Sequence, residues 1–507
     1  MAAAAVATRK ARKVLFITGD QWRGEALSAL GHPVAKTPHL DRLAREGVAF
    51  TRHYTASAPC GPARTTLLTG VYPFIHRSVR NGTPLHRRHT NIALEVRKAG
   101  YDPVLFGYTD SSADPGELAP ADPRLRSFEG VLPGFRLEAS LNEMTLTGWL
   151  SELARKGYDV PAHHPDIYRH PGTPKELARF DRGPAVFKAE DSDTAYIADK
   201  VIDYLRLRRR QDWFIHAVFL RPHPPLIAPA PYNTMVDVAR LPEAVKHADR
   251  AREAAVHPFL GVWLEQQSNA AYFESQVNVQ NLPDDDLAAM RAVYYGLLHE
   301  VDLQVGRILD HLRSTGEIDE TLIIFTSDHG EMLGGHWCWG KGAWFEASNH
   351  IPLIIRDPRA SAAVRGRVVD EFTESIDLMP TILDWIGAPV PQEVNGHSLA
   401  PWLAGATPDE WRDFVFWEFD FRSPETQFAE KRLGITSDQC TLNVIRDRDW
   451  KYVHFTGLPP LLYDLRADPG ERFASTDEVR DFTQRTYERA EAAAAKMVLT
   501  PPAARVV

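Results

Sequence analysis

A thiol, a guanidinium and two strand-end acids are the residues of this 507-residue chain best suited to act together. Cys60-Gly61-Pro62-Ala63-Arg64 places the first two in one pentapeptide, followed by Thr65-Thr66-Leu67-Leu68-Thr69-Gly70. A cysteine in that setting is either a group for covalent catalysis or an ordinary buried thiol beside a proline turn. The acids follow two aliphatic runs. Val14-Leu15-Phe16-Ile17-Thr18 reads as a buried strand that delivers Asp20 and Gln21 at its carboxyl end, and Thr321-Leu322-Ile323-Ile324-Phe325-Thr326 does the same for Asp328 and His329. Ligands collect outside the carboxyl ends of strands in an open α/β sheet, so Asp20 and Asp328 can converge although roughly three hundred residues separate them. Either acid alone would read as a solvated turn residue or a helix cap. An oxygen-rich set such as Asp20, Gln21 and Asp328 suits a hard divalent cation, Ca²⁺, Mg²⁺ or Mn²⁺, and His329 tilts the balance toward Mn²⁺.

With these residues in view, the chain resembles the alkaline phosphatase superfamily, in its type I sulfatase branch, and within it the phosphonate monoester hydrolases and arylsulfatases. Besides the Cys60 pentapeptide, which has the CxPxR pattern, the resemblance rests on Asp20-Gln21-Trp22, Thr37 to Leu43, Gly107-Tyr108-Thr109, Arg221-Pro222-His223-Pro224-Pro225, Ser327 to Glu331, Gly340-Lys341, and Leu462 to Leu465 with Asp468-Pro469. It runs from about Lys13 to near Glu471. The resemblance implies that Cys60 is oxidised to formylglycine by a formylglycine-generating system. The hydrated aldehyde then attacks sulfur or phosphorus through one oxygen, forming a covalent intermediate. Its second hydroxyl loses a proton and expels the transferred group, which restores the aldehyde. Asp20, Gln21, Asp328, His329 and modified Cys60 would bind one divalent ion, Mn²⁺ or Ca²⁺. Arg64 would hold the hydrate, His223 would act as general acid, and Lys341 would contact non-bridging oxygens. Asn81 and Tyr108 match positions that line the anion site. Relatives imply a homotetramer or homodimer.

Departures from the pattern bear on the substrate. Many arylsulfatases have a second acid in place of Gln21 and a Lys-x-His pair where this chain has Tyr108-Thr109-Asp110. A pocket with fewer cations favours a singly charged headgroup. Phosphonate monoesters, sulfate monoesters and phosphodiesters are therefore the expected small-molecule substrates, with a dedicated arylsulfatase as the alternative. A phosphodiesterase that uses unmodified Cys60, and a non-catalytic relative acting as a binding module, are the other readings. Asp110, although placed among the substrate-binding residues, reads as turning outward to hydrogen-bond its own loop, Asp110 to Pro115. Trp337-Cys338-Trp339 reads as core rather than as a platform for an aryl group.

Length alone allows two to four domains, but the alternation of strands at Tyr101 to Tyr108, Trp213 to Leu220 and Thr321 to Thr326 with helices favours one large α/β unit. Apolar residues at helical spacing, Tyr294, Leu297, Leu298, Val301, Val305, Ile308, Leu309 and Leu312, predict a helix over about Leu287 to Arg313 that packs on a sheet. Pro389, Pro391 and Gly396 follow a helical run, Ile376 to Ile386, and mark a boundary. The expected division is a catalytic α/β domain, residues 1–395, and a C-terminal subdomain, 396–507, with a small antiparallel sheet and a terminal helix. Its strands are Phe414 to Phe421, Thr441 to Ile445 and Trp450 to Phe455, with a hairpin turn at Arg446 to Asp449. A net charge of −9 argues against a nucleic-acid partner. The basic cluster Arg206-Leu207-Arg208-Arg209-Arg210 reads as a solvated helix end. Met1 to Lys10 is too short for a secretory signal, and no apolar run is long enough to cross a membrane. Three cysteines, Cys60, Cys338 and Cys440, suggest no disulfide framework, so cytoplasmic residence is expected.

Overall fold

The computed structural model describes residues 12–127, 129–169, 180, 182–208, 211–268, 279 and 282–474. The strands β1 (Lys13–Gly19), β5 (Trp213–Phe219) and β6 (Thr321–Ser327) are buried at every residue. Such strands need cover on both faces, which is the environment of a parallel sheet between helices. Because side chains alternate, Leu15 and Ile17 of β1 join one apolar cluster with Ile323 and Phe325, while Val14 and Phe16 join a second with Leu322 and Ile324. The helix Asp284–Ser314 covers the first face through residues such as Tyr294, Leu298 and Val305. The helices Cys60–Thr69 and Leu378–Ile386 cover the second through Leu67, Leu68, Leu378 and Ile382. Each such buried side chain contributes about 1.5–3 kcal/mol, and many of them stiffen the strands that carry the site.

Five further strands complete the sheet: β2 (Val48–Tyr54), β3 (Pro103–Gly107), β4 (Arg136–Ser140), β7 (His350–Arg356) and β8 (Arg367–Glu374). Among the described residues the eight strands lie in the order β4-β3-β5-β1-β6-β7-β2-β8. β1 is parallel to β5 and β6, and β3 is parallel to β5. β7 runs antiparallel to both β6 and β2, so β2 regains the direction of β6. The carboxyl ends of β3, β5, β1, β6 and β2 thus open on one edge. Pairing of Gly19 with Ser327 sets Asp20 and Asp328 side by side just beyond it.

A second, antiparallel sheet of four strands has the order β12-β11-β10-β9, formed by β9 (Phe414–Asp420), β10 (Thr441–Asp447), β11 (Trp450–Phe455) and β12 (Leu461–Asp464). Its apolar face, including Trp417, Leu442, Val444 and Val453, shares a cluster with Tyr54, Phe259, Trp344 and Phe372. The hairpin is tighter than the sequence reading: Arg446 still pairs with Lys451, and only Arg448 and Asp449 turn. Asp447 closes that turn, its Oδ1 accepting the N–H groups of Asp449 and Trp450 at 2.9 and 2.7 Å. The helix expected at the end of the C-terminal subdomain lies outside the described residues, as do the segment Met1 to Lys10 and Arg209 with Arg210. No helix of the described residues is long and apolar enough to cross a membrane.

Candidate active site

Cys60 is the first residue of the buried helix that follows β2, with Pro59 preceding it in extended conformation. A helix amino terminus directs free N–H groups and positive dipole toward whatever faces it. One of these, Gly61 N–H, donates to Asn81 Oδ1 at 2.8 Å. A Cβ at Gly61 would meet that oxygen at 3.1 Å and the Asp110 carbonyl at 3.2 Å, so glycine is what lets the three segments close around Cys60.

Cys60 Sγ, one oxygen each of Asp20 and Asp328, and a ring nitrogen of His329 all lie within 4.8 Å of one another, and all four residues are buried. Sγ is 3.1 Å from His329 Nε2. His329 Nδ1 lies 3.0 Å from the Gly330 carbonyl, which accepts its proton and leaves the Nε2 lone pair facing the cluster. Asp20 Oδ1 is buried without a hydrogen-bond partner among the described residues. A divalent cation fits this set: carboxylate oxygens, an imidazole with its lone pair directed inward, and an orphaned anionic oxygen. Arg64, 2% exposed, ties the acids together. Its Nε donates to Asp328 Oδ2 at 2.9 Å, one Nη to Asp20 Oδ2 at 2.7 Å, and the other to the Tyr108 carbonyl at 3.0 Å. The fork is therefore committed to the two acids and a carbonyl. Tyr108, below the guanidinium with its ring 4.0 Å from Cζ, donates its hydroxyl to Asp20. Burial opposes ionisation of Asp20, but His223, Arg64, His329 and Lys341 outweigh it and hold this carboxyl well below its usual range. Burial, with Asp20 and Asp328, pushes the Cys60 thiol well up, so the unmodified side chain keeps its proton.

Gln21 adopts a left-handed φ of 67°, rare outside glycine and a mark of local strain. Its Oε1 accepts from Lys341 Nζ at 2.7 Å, and its Nε2 donates to Glu331. Lys341, from the β6–β7 connection, also lies 2.9 Å from His223 Nε2. Glu143 Oε1 is 3.0 Å from the same nitrogen. His223 Nδ1 donates to the Pro224 carbonyl at 2.8 Å, which fixes the ring. Burial and Lys341 disfavour an imidazolium here, but Glu143 and Asp20 prevail and raise the His223 pKa. Nε2 thus faces the Glu143 carboxylate and the Lys341 ammonium at once.

Asp110 does not turn outward as its loop predicts. It is buried, with φ of 49°, and Oδ2 lies 3.8 Å from Arg64 Nε. The left-handed backbone and the Arg64 charge draw it inward, and burial pushes its carboxyl up to about 7. Trp337-Cys338-Trp339 is largely core, as expected: Cys338 and Trp339 are buried in two apolar clusters, and Trp339 in addition lines the pocket above Cys60. That pocket, about 480 Å³, gathers Gln21, Cys60, Asn81, Asp110, His223 and Lys341. Glu129, Glu143, Trp263 and Gln267 also line it, and sequence reasoning missed all four. Each stands in a loop or helix with no motif around it, so no local signal marks them.

An eight-stranded mixed sheet with a buried acid, imidazole and thiol cluster at its carboxyl edge defines a metal-assisted hydrolase. The Sulfatase family model matches residues 12–388, and the model for the C-terminal part of N-sulphoglucosamine sulphohydrolase matches residues 334–490. The chain belongs to the Sulfatase family of the alkaline phosphatase superfamily. It is 39% identical over 470 residues to the multifunctional alkaline phosphatase superfamily protein PehA of Trinickia caryophylli, covering 92% of this chain and 90% of that one. The crystal structure of phosphonate monoester hydrolase of Agrobacterium radiobacter superposes with a TM-score of 0.90 at 43% identity, covering 95% of this chain and 96% of that one. Phosphonate monoester hydrolase from Silicibacter pomeroyi gives 0.87 at 41% identity, with 95% of each chain covered.

Proposed function

We propose that the chain is a formylglycine- and metal-dependent hydrolase of singly charged esters: phosphonate monoesters, sulfate monoesters and phosphodiesters. One observation carries this reading: Cys60 Sγ stands at a helix amino terminus within a buried set of Asp20, Asp328 and His329 whose ligand atoms lie within 4.8 Å. The names of the two phosphonate monoester hydrolases, 43% and 41% identical to this chain, support it. Asp20, Asp328, His329 and modified Cys60, with Gln21 adjoining, would hold Mn²⁺ or Ca²⁺. When bound, the cation supplies charge that favours ionised oxygen nucleophiles and neutralises charge developing on the transferred group. A formylglycine-generating partner would have to convert Cys60 first.

The residues of the chain then divide the work. Arg64 holds both carboxylates in place. Asn81 anchors the helix end. Lys341 Nζ, at the pocket wall, supplies a donor for a non-bridging oxygen. His223 carries a proton on Nε2 and delivers it to the departing alcohol oxygen as the ester bond breaks. Lys341 is the one Lys or Arg that lines the pocket among the described residues, against three carboxylates, so a dianionic headgroup lacks matching charge there.

Mass spectrometry of the Cys60 peptide is expected to show a loss of about 18 Da relative to the thiol. On a panel of aryl phosphonate, aryl sulfate, phosphodiester and phosphate monoester, the phosphate monoester is expected to have the lowest kcat/KM. Cys60→Ala should reduce turnover of all four by about a thousandfold or more. A fully active enzyme with an unmodified Cys60 peptide would overturn the reading.

A further inference from the structure

We propose that the outer pocket recognises a positively charged leaving group, so that esters of ammonium-bearing alcohols are preferred substrates. This rests on the hydrolase reading above and names the alcohol that the reaction releases. Asp110, Glu129 and Glu143 line the same pocket of about 480 Å³, together with Lys341. Asp110 is answered by Arg64 at 3.8 Å and Glu143 by His223 at 3.0 Å. Glu129 is different. It is 8% exposed, and its buried Oε2 has no hydrogen-bond partner among the described residues.

Such an oxygen has a physical requirement: a buried acceptor calls for a donor or a positive charge. Burial, followed by the like charges of Asp110 and Glu143, pushes Glu129 up to about 8, and a cation between these groups relieves that repulsion. The indoles of Trp263 and Trp339 line the same pocket and add faces on which an alkylammonium group rests favourably. Glu143 contacts His223, the residue that faces the departing oxygen, so the acids stand on the leaving-group side of the reacting atom. Hydrolysis itself is unchanged: water is consumed, the phosphorus–oxygen or sulfur–oxygen bond to the alcohol breaks, and the alcohol leaves with the proton from His223.

The test compares methylphosphonate monoesters of choline and of 3,3-dimethylbutan-1-ol, which have the same shape and differ in charge, at about pH 9 where Glu129 is ionised. The ratio of kcat/KM, charged over neutral, is expected to fall about tenfold from the parent holoenzyme to Glu129→Gln. Intrinsic differences between the two leaving groups cancel in that comparison. Independently of any variant, choline should inhibit aryl phosphonate hydrolysis competitively, binding the parent about tenfold more tightly than 3,3-dimethylbutan-1-ol. Equal inhibition by the two alcohols, or an unchanged ratio in a folded Glu129→Gln, would overturn the proposal. If that variant does not fold, the inhibition comparison decides. Failure of the hydrolase reading looks different: neither ester nor the aryl phosphonate would be turned over by protein with converted Cys60.

Discussion

His223 shows how a single side chain depends on its neighbours for its chemistry. Its Nδ1 proton is held by the Pro224 carbonyl, so Nε2 alone exchanges protons with the pocket, and Glu143 favours the protonated ring. A general acid matters in proportion to how poor the leaving group is. His223→Ala is therefore expected to lower kcat for an alkyl ester by about 10²–10⁴-fold while changing a 4-nitrophenyl ester much less. Equal losses on both would remove His223 from the proton transfer. The pH dependence follows from the same contacts. With a raised pKa, His223 stays protonated to higher pH, and activity toward poor leaving groups falls as pH rises through that value. Glu143→Gln removes the carboxylate that favours the imidazolium, so this alkaline limb should move to lower pH in a profile of kcat/KM.

The helix Asp284–Ser314 acts as a unit, and its glycines set how closely it lies on its neighbours. A Cβ at Gly296 would sit 2.0 Å from the Tyr232 carbonyl, and one at Gly306 would meet the His39 ring at 2.2 Å. Alanine is the better helix former by about 1 kcal/mol, but neither neighbour leaves room for its methyl. Gly296→Ala is expected to destabilise by about 1–3 kcal/mol in thermal or denaturant unfolding; a rise in Tm would show that propensity wins. Activity should suffer too. Tyr294, two residues before Gly296, donates its hydroxyl to the Gln21 carbonyl at 2.8 Å and accepts from Arg23 N–H at 3.1 Å, which fixes the loop that presents Asp20.

For the molecule as a whole, buried charge links stability to pH. Glu300 is completely buried, and burial, followed by the like charge of Asp193, pushes it up to about 8. Its folded value exceeds the unfolded one of about 4.3, so the native state keeps a proton that the unfolded chain releases. Its stabilising contribution is fully present below about pH 4.3 and is lost as pH rises toward about 8. Glu300→Gln removes this dependence, and its stability relative to the parent should increase between about pH 5 and 8 in urea titrations; parallel curves would sink the assignment. Removing the divalent ion should act globally as well. The buried carboxylates of Asp20 and Asp328 would lose a cation and be compensated more weakly, by Arg64, so chelation is expected to lower Tm and abolish turnover together, with both restored by adding back Mn²⁺ or Ca²⁺.

The strand-end acids, the Cys60 helix and the amphipathic run ending near Arg313 were legible along the chain because each is a local pattern: burial over seven residues, an acid one step past the strand, apolar side chains at helical spacing. What needed the tertiary structure was every feature set by partners far away in sequence. Asp110 looked like an outward loop residue, yet Arg64 and a left-handed backbone turn it inward. Glu129 and Glu143 carry no motif and acquire meaning only beside His223 and Asp110. Trp339 and Cys338 are adjacent in sequence and both buried, but they belong to different clusters and only Trp339 reaches the pocket. Periodicity encodes which face of an element is buried. Which side chains share a pocket, and hence which charges feel one another, is decided by strand order and register, through contacts that no short window of sequence contains.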